Sequence, residues 1–152
     1  MRRLLLALGA LAIVVASFFV TLQILNSYDT PPVPATPAEA RDAMRVQQIR
    51  AIRAALEKYK SDRGKYPELP ENDAIDLQRD LVGGGYLAEI PKDPVSAGSK
   101  SGYPYSSNGK TYGMMVPMEA GGRGIPAGGA CLVRAKGDHS TAFWNNPPEC
   151  PF

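Results

Sequence analysis

The chain contains only one histidine, His139, and only two cysteines, Cys131 and Cys150. That scarcity leaves too few soft donors for a zinc or copper centre. The cysteine spacing also fits neither a redox Cys-x-x-Cys pair nor a haem-attachment motif. The first carboxylate is Asp29, and no basic residue lies between Arg3 and Arg41. The formal charge of +2 is carried by Arg2 and Arg3, and the remainder is neutral. There is therefore no cationic footprint for nucleic acid. Serines 96, 99, 101, 106, 107 and 140 lack a nucleophile-elbow context, and the glycine runs match no phosphate-binding fingerprint. The sequence points to a non-catalytic protein with no cofactor and no small-molecule substrate.

Polar residues are scarce at the start of the chain. From Leu4 to Leu25 the apolar run is broken only by Gly9, Ser17, Thr21 and Gln23. As a helix it would be roughly 33 Å long, about the thickness of a bilayer core. Arg2 and Arg3 precede it, so the positive-inside rule keeps the N-terminus in the cytoplasm and exports the rest. A cleaved signal peptide is the alternative, with Val14-Val15-Ala16 near a cleavage site, but the run continues well past that point. The expectation is a single-pass anchor in a bacterial inner membrane with a periplasmic domain. Within the anchor, Gly9 permits close helix packing and Gln23 offers an amide that wants a partner in lipid, so both are candidate contacts to other membrane subunits.

Residues 1–26 thus read as the anchor and 27–37 as a semi-rigid linker containing Pro31, Pro32, Pro34 and Pro37. Residues 38–152 read as the exported domain. Thr36-Pro37-Ala38-Glu39 has the form of a capping box, and no Gly or Pro interrupts the chain from Ala38 to Arg63. Apolar residues recur at Val46, Ile49, Ile52, Leu56 and Tyr59, which predicts a long helix closed by Gly64. Arg41, Arg45, Arg50 and Arg53 read as a solvated basic side of that helix, able to meet an acidic partner or lipid headgroups. Pro70 to Asp73 reads as a turn and Asp76 to Val82 as a short helix. Tyr103–Ser107 and Thr111–Val116 flank Asn108-Gly109, which predicts a hairpin with a type I′ turn. Cys131–Ala135 and Thr141–Trp144 read as further strands. The fold class expected is α+β, one long helix on a small antiparallel sheet.

Tyr59-Lys60-Ser61-Asp62-Arg63-Gly64-Lys65-Tyr66-Pro67 resembles the helix-end motif of type II secretion major pseudopilins and related type IV pilin-like proteins. Leu81 with Gly85-Tyr86-Leu87, Ile90-Pro91-Lys92-Asp93-Pro94 and Tyr103-Pro104-Tyr105 follow in that family's order. The resemblance covers about residues 40–116. It implies a pilin-like domain, a hetero-oligomeric membrane complex as the setting, and either a fixed scaffold subunit or a minor pseudopilin of a filament. Three features differ from the family pattern. No glutamate follows Gly9 within the apolar run, prolines interrupt the path from anchor to helix, and only Asp138 and Glu149 follow Glu119, too few oxygen donors for the family's calcium loop. Two cysteines in an exported domain favour a Cys131–Cys150 disulfide over two free thiols, and many pilins carry a similar C-terminal disulfide loop.

Overall fold

The computed structural model describes residues 36–138, 144 and 147–152. The anchor, most of the linker, Gly9, Gln23, His139 and the expected strand from Thr141 lie outside the described residues, apart from Trp144. Among the described residues no helix is long and apolar enough to cross a membrane.

Helix α1 runs Pro37–Arg63. It starts where the sequence says it should: the Thr36 hydroxyl accepts a hydrogen bond from the Glu39 N–H, and the Glu39 carboxylate accepts one from the Thr36 N–H at 2.8 Å. It ends at Gly64, whose φ of 77° favours glycine and lets its N–H reach the Lys60 carbonyl. The buried face comprises Asp42, Arg45, Ile49, Ile52, Ala55 and Leu56. These follow one helical phase in steps of three and four, apolar in the C-terminal half and ionic in the N-terminal half.

Four strands form one antiparallel sheet in the order β1 (Leu69–Asp73), β2 (Pro104–Ser107), β3 (Tyr112–Pro117), β4 (Ala130–Arg134). The core between helix and sheet is built from Ile49, Ile52 and Leu56 on α1, Leu77 and Leu81 beyond β1, and Tyr105, Tyr112, Met114, Val116 and Val133 on the sheet. Tyr66 packs edge-on against Tyr112 at 4.8 Å and donates to Glu57, closing the end of the helix onto the sheet.

Three local expectations need correction. Leu69–Asp73 is a strand, not a turn: Pro70 is tolerated because β1 is an edge, and a register shift between Leu69 and Asn72 absorbs the irregularity. The β2–β3 connection is not type I′, because only Gly109 has positive φ. Asn108 instead accepts from the Lys110 and Thr111 N–H groups in an Asx turn. The second helix begins earlier than Asp76, as a 3₁₀ turn Ala74–Leu77 capped by Asp73 that passes into one π-helical turn, Gln78–Val82. At the far edge of the sheet the tail returns beside β4. Leu132 donates to the Pro148 carbonyl and accepts from the Cys150 N–H.

Candidate functional site: an ionic joint on the helix

Two long segments without regular structure, between Val82 and Pro104 and between Pro117 and Ala130, both return to the N-terminal half of α1. Arg45 receives them. Its side chain is only 1% exposed and is surrounded by three carboxylates. Nη1 donates to Asp42 at 2.6 Å, Nε to Asp93 at 2.5 Å, and Nη2 to Glu119 at 2.6 Å and to Asp93 at 3.2 Å. Each acid comes from a different part of the chain: Asp42 from one helical turn before Arg45, Asp93 from the first segment, Glu119 from the second. A planar guanidinium can satisfy several carboxylates at once, which a lysine ammonium cannot do with the same geometry.

The carboxylates do more than neutralise Arg45. Asp42 also accepts from the backbone N–H groups of Glu119 and Ala120, both at 2.9 Å, so it holds the start of the second segment by its main chain. Asp93 accepts from the Val95 N–H, and its own N–H donates to the Ser101 carbonyl. Asp73 then takes the N–H groups of Ser101 at 2.7 Å and Gly102 at 3.0 Å. Gln48 donates to the Lys92 carbonyl at 2.8 Å and accepts from the Tyr103 hydroxyl. One continuous hydrogen-bonded network therefore runs from α1 through Asp93 and Ser101 to the end of β1.

Burial works against the positive charge of Arg45, but its bonds to Asp93, Glu119 and Asp42 outweigh that and hold its pKa above the ordinary value. Glu119 is 30% exposed, and the hydrogen bond from Arg41, reinforced by Arg45, holds its carboxyl down at about 2. Burial opposes ionisation of Asp73, yet bonds from Ser101 and the N–H groups of Ile75, Ser101 and Gly102 lower its pKa overall. Both shifts are depressions, so the stability they contribute is complete above the unfolded carboxylate range, near 4, and is lost as pH falls toward the folded values. Thermal melts should therefore show a loss of stability between about pH 4.5 and 2. Glu119→Gln should flatten part of that dependence, and an unchanged slope would remove Glu119 as a contributor.

The four arginines expected on a solvated basic side do not act together. Arg45 is the main correction: it lies in phase with Ile49, Ile52 and Leu56 and is consumed inside the fold. Arg41 grips Glu119 through Nε at 2.8 Å and Nη2 at 2.5 Å. Arg53 donates to the main-chain oxygen of Phe152 at 2.8 Å. Only Arg50 stays exposed without an ion pair among the described residues. Asp42, Asp93 and Glu119 are not marked as site residues by the sequence; the helical stripe, extended backwards from Leu56 by four, three, four and three residues, passes through Ile52 and Ile49 to Arg45 and Asp42, but carries no sign of Asp93 or Glu119. Cys131 and Cys150 are joined, with Cα atoms 5.0 Å apart.

Chemically the joint is closed. Its cation and its acids satisfy one another, and among the described residues no group of three or more His, Cys, Asp or Glu is arranged to hold a metal ion. What it does is position loops. A family model described as type II secretion system, protein G, matches residues 33–130, a stretch that contains α1, the first three strands and every member of the joint. No curated protein and no solved structure matches the chain.

Proposed function

Because this chain belongs to the type II secretion system protein G family, we propose that it is a non-catalytic pseudopilin subunit of a secretion-type assembly, tethered to the bacterial inner membrane by residues 4–25. The observation that carries this reading is the family match across the whole ionic joint, whose charged groups are engaged in fixing two loops. Such a domain presents shaped surfaces to other subunits and does not turn over a substrate. The long, uncharged, largely apolar run supports the tether, Arg2 and Arg3 before it support a periplasmic location, and the disulfide suits an oxidising compartment.

A second reading has its own support in the same family match: a subunit processed at Gly9 that enters a filament. Intact-mass analysis of the protein purified from membranes separates the two. A chain beginning at Met1 is expected. A chain cut after Gly9 with a methylated new N-terminus would replace the fixed subunit with the filament subunit. Purification in mild detergent should also retain other membrane subunits. Recovery of the chain alone, at every detergent concentration that keeps it soluble, would remove the assembly reading.

A further inference from the structure

At the end of β1 lies a hollow of about 660 Å³, a volume within the range of small-molecule sites. One wall is formed by the end of β1 and the turn after it, with Glu71, Asn72 and Asp76. The other belongs to the segment before β2, with Ser99 and Lys100, and Trp144 completes the lining. The two walls are pinned together. Asp73 accepts from the Ile75 N–H on its own side and from the Ser101 and Gly102 N–H groups on the other. Within the second wall the Ser96 hydroxyl donates to the Lys100 carbonyl, and the Lys92 ammonium donates to the Gly98 carbonyl, both at 3.2 Å. The hollow is therefore formed before a ligand arrives, which lowers the cost of binding.

Two lining residues hold an unusual backbone. Glu71 has φ 39° and Trp144 has φ 43°, both in the left-handed region that side chains disfavour. Only three non-glycine residues with positive φ occur among the described residues, and two of them line this hollow. Strain of this kind gathers where a side chain must be placed for a purpose. The polar lining is also unspent. Glu71, Asn72, Asp76, Ser99 and Lys100 are exposed, and none of their side chains has a hydrogen bond or ion pair among the described residues. Glu71 and Asp76 offer acceptors, Lys100 offers donors, and Asn72 and Ser99 offer both.

We infer that this hollow is a binding site for a pyranose unit of a glycan, with Trp144 as the platform. A sugar ring needs this mixture. Each hydroxyl both donates and accepts, so acids, an amide and an ammonium around one ring can all be satisfied together. The C–H face of the ring is apolar with a slight positive charge, and it suits the negative face of an indole. Other ligand classes fit less well. An anion would meet two free carboxylates, and a simple cation would meet Lys100 and leave the donors of Asn72 and Ser99 unused. The site lies within the described domain and stands apart from the reading of the chain as an assembly subunit.

Trp144 is the only tryptophan, so its fluorescence reports on this hollow alone. The test uses the full-length chain in a zwitterionic detergent, because a glycosidic headgroup would compete. Titration with the trisaccharide of N-acetylglucosamine, and separately with cellotriose, should give a saturable change in emission with a Kd of about 1 mM for at least one of them. The pair distinguishes a site that requires the acetamido group from one that reads ring hydroxyls only. Calorimetry then compares variants whose fluorescence differs. Glu71→Ala/Asp76→Ala should weaken binding about tenfold, Trp144→Ala should abolish it, and Trp144→Phe should retain part of it. Far-UV circular dichroism and thiol labelling confirm that each variant is folded and disulfide-bonded. No saturable change with either trisaccharide overturns the inference, and so does unaltered binding by Trp144→Ala or by the double variant. Trilysine is the control for a cation site: saturable binding of trilysine without either sugar also overturns the glycan assignment. None of these results alters the assembly reading, which the intact-mass and co-purification experiments decide.

Discussion

Arg45→Met is expected to destabilise the domain by about 3–5 kcal/mol, the range for removing one partner of a buried ion pair. Methionine keeps most of the stem volume, so the change isolates the guanidinium. Without it Asp42 and Asp93, both buried, lose their countercharge, and of the three acids only Glu119 keeps one, through Arg41. Asp42 keeps the N–H groups of Glu119 and Ala120, and Asp93 keeps that of Val95, so neither carboxylate can turn to solvent without releasing its segment. The destabilisation should therefore be accompanied by local opening. Amides of Ser101, Gly102, Glu119 and Ala120 should exchange faster than those of β3. Urea unfolding at pH 7 measures the first effect and amide exchange the second. Arg45→Lys should recover only part of the loss, because an ammonium cannot span three carboxylates from one stem. A loss under about 1 kcal/mol for Arg45→Met would mean that water replaces the guanidinium in place, and that the joint orients the loops without stabilising them.

The parts of this fold visible in the sequence are those set by local chemistry. Thr36-Pro37-Ala38-Glu39 specifies a helix start from four residues, and Gly64 specifies its end from one. The stripe at Ile49, Ile52 and Leu56 gave the buried face directly. What stayed hidden depends on partners distant in sequence. Leu69–Asp73 has no β-branched residue and includes a proline. It is a strand only because Tyr105 and Ser107 of β2 pair with it, and that pairing also requires the long Val82–Pro104 segment to return. Arg45 gives no local sign of burial, since Asp93 lies 48 residues away and Glu119 lies 74 away. Its helical phase was the only available clue, and a charged residue in an apolar phase is ordinarily placed at the helix surface.

Reducing or removing the Cys131–Cys150 bond is the second large effect expected, about 2–4 kcal/mol for the double serine variant. The bond closes 19 residues of sequence separation, for which the chain-entropy model gives roughly 3 kcal/mol. The native contacts add to this. Cys131 is fully buried in β4 and Cys150 nearly so, and the bond holds the tail where Leu132 exchanges hydrogen bonds with Pro148 and Cys150. Serine at position 131 would also bring a hydroxyl into the core, where an unpartnered one costs about 1–3 kcal/mol. The double alanine variant separates that contribution from the cross-link. The bond's loss should reach past the tail, because Arg53 donates to the main-chain oxygen of Phe152 and the Phe152 side chain packs against the core. Exchange of the Leu132 and Cys150 amides should therefore rise first, followed by a lower global unfolding midpoint. In the native protein, thiol labelling should fail until a reductant is added, and non-reducing electrophoresis should show a monomer. Dimers that collapse on reduction would move the bond between chains and leave the tail of each copy held only by its hydrogen bonds and packing.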